Sequence, residues 1–195
     1  SDPNTYYVAT AGGGVWKTKD GGLTWIALFD IGTSAVTGGP LDPTLDASPG
    51  GLLPVSAMMF AGQIAVAPSN PSVVYYATGD ANGTFNGIPN PGQTDNYAGS
   101  GVYKSADGGK TWRRLLNQNQ TNPLYGQVVT RMIVDPFEAD RIYVATGVQN
   151  GAGNVLNPST DAAVTAGVWR YVSSEDTDGS GNLDDRGLAN AGPLW

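Results

Sequence analysis

The densest chemistry in this chain lies in SSEDTDGSGNLDDRG, residues 173 to 187, where Glu175, Asp176, Asp178, Asp184 and Asp185 crowd into one short segment. Closely spaced oxygen ligands are what calcium takes. On the EF-hand loop pattern Asp176, Asp178 and Ser180 fill the first three ligand positions, Gly181 the sharp turn, Leu183 the apolar position and Asp184 the next ligand. The closing bidentate glutamate is replaced by Gly187. Affinity is therefore expected in the weak extracellular range, about 10⁻⁴–10⁻³ M. A second register, with Gly179 at the turn, enlists Asp176, Asp178 and Asp185 but begins on Ser174. The segment also reads as a solvated acidic loop, because like charges about 6 Å apart in water repel by only ~0.7 kcal/mol per pair. The expectation taken forward is a calcium site at Asp176, Asp178, Ser180 and Asp184.

A second group is Asp80, Asn82, Asp95, Asn96 and Tyr97. Carboxylates, amides and an aromatic are the side chains that bind sugars, and they are equally ordinary turn residues. Asp80, Asn82, Asp95 and Tyr97 form the candidate ligand-binding set. Spacing within a loop does not fix the separation of two carboxylates, so no general acid and base, and no catalytic residue, is assigned. The chain has no histidine and no cysteine, which excludes Ser-His and Cys-His catalysis, His-ligated zinc and thiol chemistry within it. A net charge of −7 with only 14% charged residues argues against nucleic acid and anionic membranes as partners. No run of about 18 apolar residues is present to span a membrane. Low charge with abundant glycine suits an exported β-protein, secreted or at the cell surface.

The elements that position these residues follow from repetition. YYVAT (6 to 10), VYYATG (74 to 79) and IYVATG (142 to 147) are one strand three times over, with their threonines Thr10, Thr78 and Thr146 at equal intervals. GQIAVAPSNPS and TRMIVDPFEAD precede the second and third copies, each an alternating strand ending in a proline turn. GVWKT, GVYKS and GVWRY follow the three copies. Two of these run into S/T-x-D-x-G-x-T-W: TKDGGLTW (18 to 25) and SADGGKTW (105 to 112). There an aspartate, Asp20 or Asp107, can accept hydrogen bonds from the N–H groups after it. Glycines supply positive φ, and Trp25 or Trp112 opens the return strand and covers the apolar side of the hairpin.

Four short antiparallel strands per repeat describe a β-propeller blade, and the fold class is all-β, a partial propeller. Residues 1–29 form an incomplete first blade and 30–61 a long connection. Residues 62–116 form a second blade with an insertion at 79–100. Residues 127–195 form a third blade with insertions at 147–166 and 173–190, cut at a fourth strand starting at Trp195. In such blades the long segments 30–61, 79–100 and 147–166 fall on the face opposite the aspartate turns. LLPVSAMMF (52 to 60) is expected to pack across that end or to start an inner strand. Three periods cannot close a ring of 4 to 8 blades. Further blades of the same propeller, or neighbouring subunits, are the expected partners.

Taken together these segments resemble the opening blades of Asp-box (BNR) repeat propellers, the sortilin-like and sialidase-like bacterial proteins. The resemblance implies that Asp20, Trp25, Asp107 and Trp112 are structural. Sialidases hold a substrate carboxylate with three arginines; of the arginines here only Arg131, preceding an inner strand, could face the channel mouth. The leading expectation is an extracellular or cell-surface binding module, with a carbohydrate or protein ligand on the long loops. A glycoside hydrolase with carboxylates partly outside this stretch is one alternative, and a structural subunit of a surface layer or filament the other.

Overall fold

A computed structural model describes residues 2–29, 60–79, 99–115, 124, 127–147, 167–172 and 189–190. Valine, isoleucine and tyrosine dominate the repeated segments, and these side chains favour a pleated, half-buried surface. Among the described residues the strands are β1 Tyr6–Thr10, β2 Gly14–Thr18, β3 Ile26–Phe29, β4 Ala61–Val66, β5 Val74–Thr78, β6 Val102–Ser105, β7 Arg113–Arg114, β8 Val128–Val134, β9 Arg141–Gly147, β10 Gly167–Val172 and β11 Ala189–Asn190.

All pairings are antiparallel between consecutive strands. Sheet I is β1-β2-β3, sheet II β4-β5-β6-β7 and sheet III β8-β9-β10-β11. The register repeats with the sequence. Tyr7 pairs with Lys17, Tyr75 with Lys104 and Tyr143 with Arg170. One position along, Val8 pairs with Trp16, Tyr76 with Tyr103 and Val144 with Trp169. A bulge breaks the β4–β5 ladder between Ala61 and Gln63, and another breaks β8–β9 between Val129 and Arg131, the equivalent point of the repeat.

Each sheet buries both faces where it has neighbours. Val15 and Leu28 of sheet I pack with Val74, Tyr76, Tyr103 and Trp112 of sheet II. The opposite face of sheet II presents Val73, Tyr75, Ala77 and Val102 to Met132, Ile142, Val144, Trp169 and Tyr171 of sheet III. Three consecutive meanders stacked face to face, with their first strands together on one side, make an all-β partial propeller. We call the face of each sheet toward the following sheet its leading face and the other its trailing face. Between sheets II and III the inner strands are clasped by Gln63, which donates through Nε2 to Met132 O at 3.0 Å and accepts from Met132 N.

The last described strand of sheet III is Ala189–Asn190, paired with Trp169 and Arg170, and Trp195, where a fourth strand is expected to start, lies outside the described residues. Two points depart from the sequence reading. Return strands β3 and β7 begin one residue after Trp25 and Trp112, because each indole folds back onto its own turn. Arg131 lies within β8, not ahead of it.

Candidate functional site

The two aspartate turns have the same wiring. In the second, Ser105 Oγ donates to Asp107 Oδ1 at 2.8 Å while accepting from Gly109 N at 2.8 Å. Asp107 Oδ1 also accepts from Lys110 N and Thr111 N, each at 2.9 Å, and Oδ2 accepts from Thr111 Oγ1 at 2.7 Å. The indole of Trp112 donates to Gly109 O at 3.0 Å. In the first turn Thr18 donates to Asp20 at 2.7 Å and accepts from Gly22 N at 3.0 Å, Thr24 N donates to Asp20 at 2.9 Å, and Trp25 donates to Gly22 O at 3.1 Å. Thr24 Oγ1 donates to the second oxygen of Asp20. The turn needs glycine at Gly109, where φ is +91° and a Cβ would lie 2.4 Å from Leu28 Cδ1.

These contacts set the electrostatics. Partial desolvation within its own turn pushes the Asp107 carboxyl up although the residue stays exposed, but the donors from Thr111, Ser105 and Lys110 outweigh it and hold the group down at about 2. Hydrogen bonds from the Thr24 hydroxyl and amide, then from Thr18, hold Asp20 well below the usual carboxylate range. Both aspartates are ionised acceptors committed to their own turns. Neither is poised to exchange a proton near neutral pH. The hydroxyls of Thr18, Ser105, Thr24 and Thr111 complete each turn and are the residues that sequence reasoning gave no role; their signal is the fixed spacing of two before and four after the aspartate.

The tryptophans differ. Trp112 is 2% exposed, seated between sheets I and II, whereas Trp25 is 39% exposed on the trailing face of sheet I.

The opposite end of the sheets holds the roots of the long connections. Thr78 Oγ1 donates to Gly101 O at 2.8 Å and accepts from Ser100 N at 2.8 Å, and Ser100 Oγ lies 2.8 Å from the Tyr103 hydroxyl. Burial raises the Tyr103 phenol far above its ordinary value, so it stays a neutral hydrogen-bonding group. Thr146 repeats the device in sheet III, with its hydroxyl 3.3 Å from Gly167 N and 3.1 Å from Trp169 Nε1. A Cβ at Gly99 would sit 2.5 Å from both Gln127 O and Thr78 O, so this root is pressed against the backbone of its neighbours. Gly79 and Gly99, the described residues that flank this connection, are both fixed by backbone contacts, and they lie at the far end of β6 from Asp107. The connection from β3 to β4 and that from β9 to β10 leave from the same end.

Asp80, Asn82, Asp95 and Tyr97 lie outside the described residues, between anchors that are described. Asp176, Asp178, Ser180 and Asp184 lie outside them as well. Among the described residues no group of three acidic side chains is placed to hold a metal ion. Arg131 is exposed on the leading face of sheet III, and no set of three arginines converges among the described residues.

No protein-family model matches the chain, and no curated protein matches it. Solved structures similar to it include an ancestral GH74 enzyme (16% identity over 75% of this chain, TM-score 0.40). A GH74 enzyme from Niastella koreensis is 18% identical over 89% of this chain, with a TM-score of 0.46. The GH74 xyloglucanase from Xanthomonas campestris is 14% identical over 88% of it, with a TM-score of 0.45. The chain spans 13%, 19% and 19% of the lengths of those three proteins.

Proposed function

We propose that this chain is the scaffold and part of the contact face of an extracellular or cell-surface β-propeller binding module. One observation carries the reading. Both turn aspartates spend their oxygens inside their own turns, while the long connections are rooted at the opposite ends of the strands, where length costs little and loop side chains can serve a ligand. The turns take the Asp-box role of holding blades together. Asp80, Asn82, Asp95 and Tyr97 supply the acceptors, donors and aromatic platform for a carbohydrate or protein ligand, and calcium at Asp176, Asp178, Ser180 and Asp184 orders the acidic segment.

The test is a calorimetric titration with a xyloglucan oligosaccharide and a glycan array, run beside a reducing-end assay. Saturable binding without release of reducing ends supports the binding module. Turnover would instead make the protein a glycoside hydrolase. Failure to retain any glycan would remove carbohydrate as the ligand class.

A further inference from the structure

At or next to the end of β1, β5 and β9 a threonine faces the glycine where the next strand begins: Thr10 opposite Gly14, Thr78 opposite Gly101 and Thr146 opposite Gly167. Each hydroxyl turns across the pair and donates to that glycine's carbonyl, at 3.4, 2.8 and 3.4 Å. The connections that these pairs close differ widely in length. They are residues 11–13, 79–100 and 147–166. At the two long ones the hydroxyl also accepts from the returning backbone, Thr78 from Ser100 N at 2.8 Å and Thr146 from Gly167 N at 3.3 Å. Thr78 and Thr146 are buried, whereas Thr10 is half-buried.

The connection from β5 to β6 leaves and returns through one point. Gly79 N donates to Phe60 O and Gly99 N to Gln127 O, each at 2.9 Å. Gly79 has a φ of +99°, and a Cβ on it would lie 2.9 Å from Gln127 O and 3.0 Å from Gly99 N. The two glycines therefore lie side by side against the carbonyl that leads into β8. The groups that close this neck all lie outside residues 80–98. Holding the ends of a connection together costs more entropy as its length grows, which matches the two-way bonding found at Thr78 and Thr146.

We propose that Thr78 is a positioning residue, a clamp whose two hydrogen bonds make the connection between Gly79 and Gly99 exchangeable. The neck belongs to the fold, and residues 80–98 carry ligand specificity without contributing to the fold. Thr146 does the same for the connection to β10. The short connection after Thr10, closed by the same threonine–glycine pair, is the frame without a long insertion. The assignment of specificity rests on the reading of the loop end as the contact face. The clamp itself does not, since it stands on the neck alone.

In the intact chain, residues 80–98 are replaced by Asn-Gly, a link suited to a tight reversal. The shortened chain should keep the parent's circular dichroism spectrum and melt cooperatively within about 3 °C of it. Thr78→Val keeps the shape and removes both bonds. In the parent it should speed hydrogen exchange at the Gly79 and Gly99 amides about tenfold or more, while Val144 in the middle of β9 keeps its rate. Thr78→Ser should restore both amides. In the shortened chain the link itself holds the neck shut, so Thr78→Val should change the same amides less than about threefold. A glycan that the parent retains on the array should not be retained by the shortened chain. A shortened chain that does not fold, exchange that rises equally at Val144, or an equal rise with and without the long connection would each overturn the clamp. Glycan retained by the shortened chain would overturn the assignment of specificity to residues 80–98. A parent that retains no glycan would remove that assignment together with the binding reading, and the exchange rates would still decide the clamp.

Discussion

Replacing Asp107 separates its charge from its shape. In Asp107→Asn the retained oxygen still accepts from Ser105, Lys110 and Thr111, and the new amide donates to the Thr111 hydroxyl, which reverses. Asp107→Ala removes all four bonds, of 2.7–2.9 Å. Hydrogen bonds to charged groups are worth about 1.5–3 kcal/mol each when buried, but this side chain is exposed and water recovers most of that. The net loss for Asp107→Ala should be about 1–3 kcal/mol, or roughly 2–4 °C in Tm per kcal/mol for a chain of this size. Asp107→Asn should lose less. The pH dependence gives a sharper reading. The folded carboxyl sits at about 2 against an ordinary value of 3.8. The unfolded chain therefore binds the proton first as pH falls, and stability declines from above the ordinary value down through about 2. Thermal melts from neutral pH to pH 2 should show a steeper acid loss for the parent chain than for Asp107→Asn. Parallel acid slopes, or Asp107→Ala melting with the parent, would refute the argument.

Three further outcomes follow from the same structure. Trp112→Ala should cost about 3–5 kcal/mol because it empties a buried site between two sheets, while Trp25→Ala at its exposed position should cost about 1–2 kcal/mol, both measured by denaturant unfolding. Gly99→Ala forces a methyl against two backbone oxygens and should lose about 1–3 kcal/mol, whereas Gly21→Ala meets only strained φ and should lose less, again by denaturant unfolding. Millimolar calcium should raise the melting temperature and release heat on titration, and Asp176→Asn with Asp178→Asn should abolish both; magnesium should compete poorly, since it demands a stricter octahedral shell.

What the residues announce in advance follows from how local their physics is. The three copies of Y-x-A-T alternate with period two and recur at equal intervals, so strands, pairing and the meander are all visible before any coordinates. The acceptor role of Asp107 is likewise local, since the amides it binds are those of Lys110 and Thr111, just along the same turn. The hydroxyl of Ser105 donates to Asp107 Oδ1 while accepting from Gly109 N, a geometry that exists only once the glycines adopt positive φ. The difference between Trp25 and Trp112 is not local at all, because the two turns match and only the neighbouring sheet distinguishes them. Hydrogen bonds from Tyr7 and Lys17 to Gly108 O join the first sheet to the second aspartate turn, a latch that could be found only in three dimensions.

The division of labour between the two ends of the sheets is the central claim, and one paired measurement addresses it. Asp107→Asn and the double variant Asp80→Ala with Asp95→Ala are compared with the parent by melting temperature and by titration with a glycan that the parent retains on the array. The account predicts that Asp107→Asn lowers the melting temperature and leaves the dissociation constant within twofold, while Asp80→Ala with Asp95→Ala leaves melting unchanged and weakens binding at least tenfold. The reverse pattern, with binding lost at Asp107 and stability lost at Asp80 and Asp95, would contradict it.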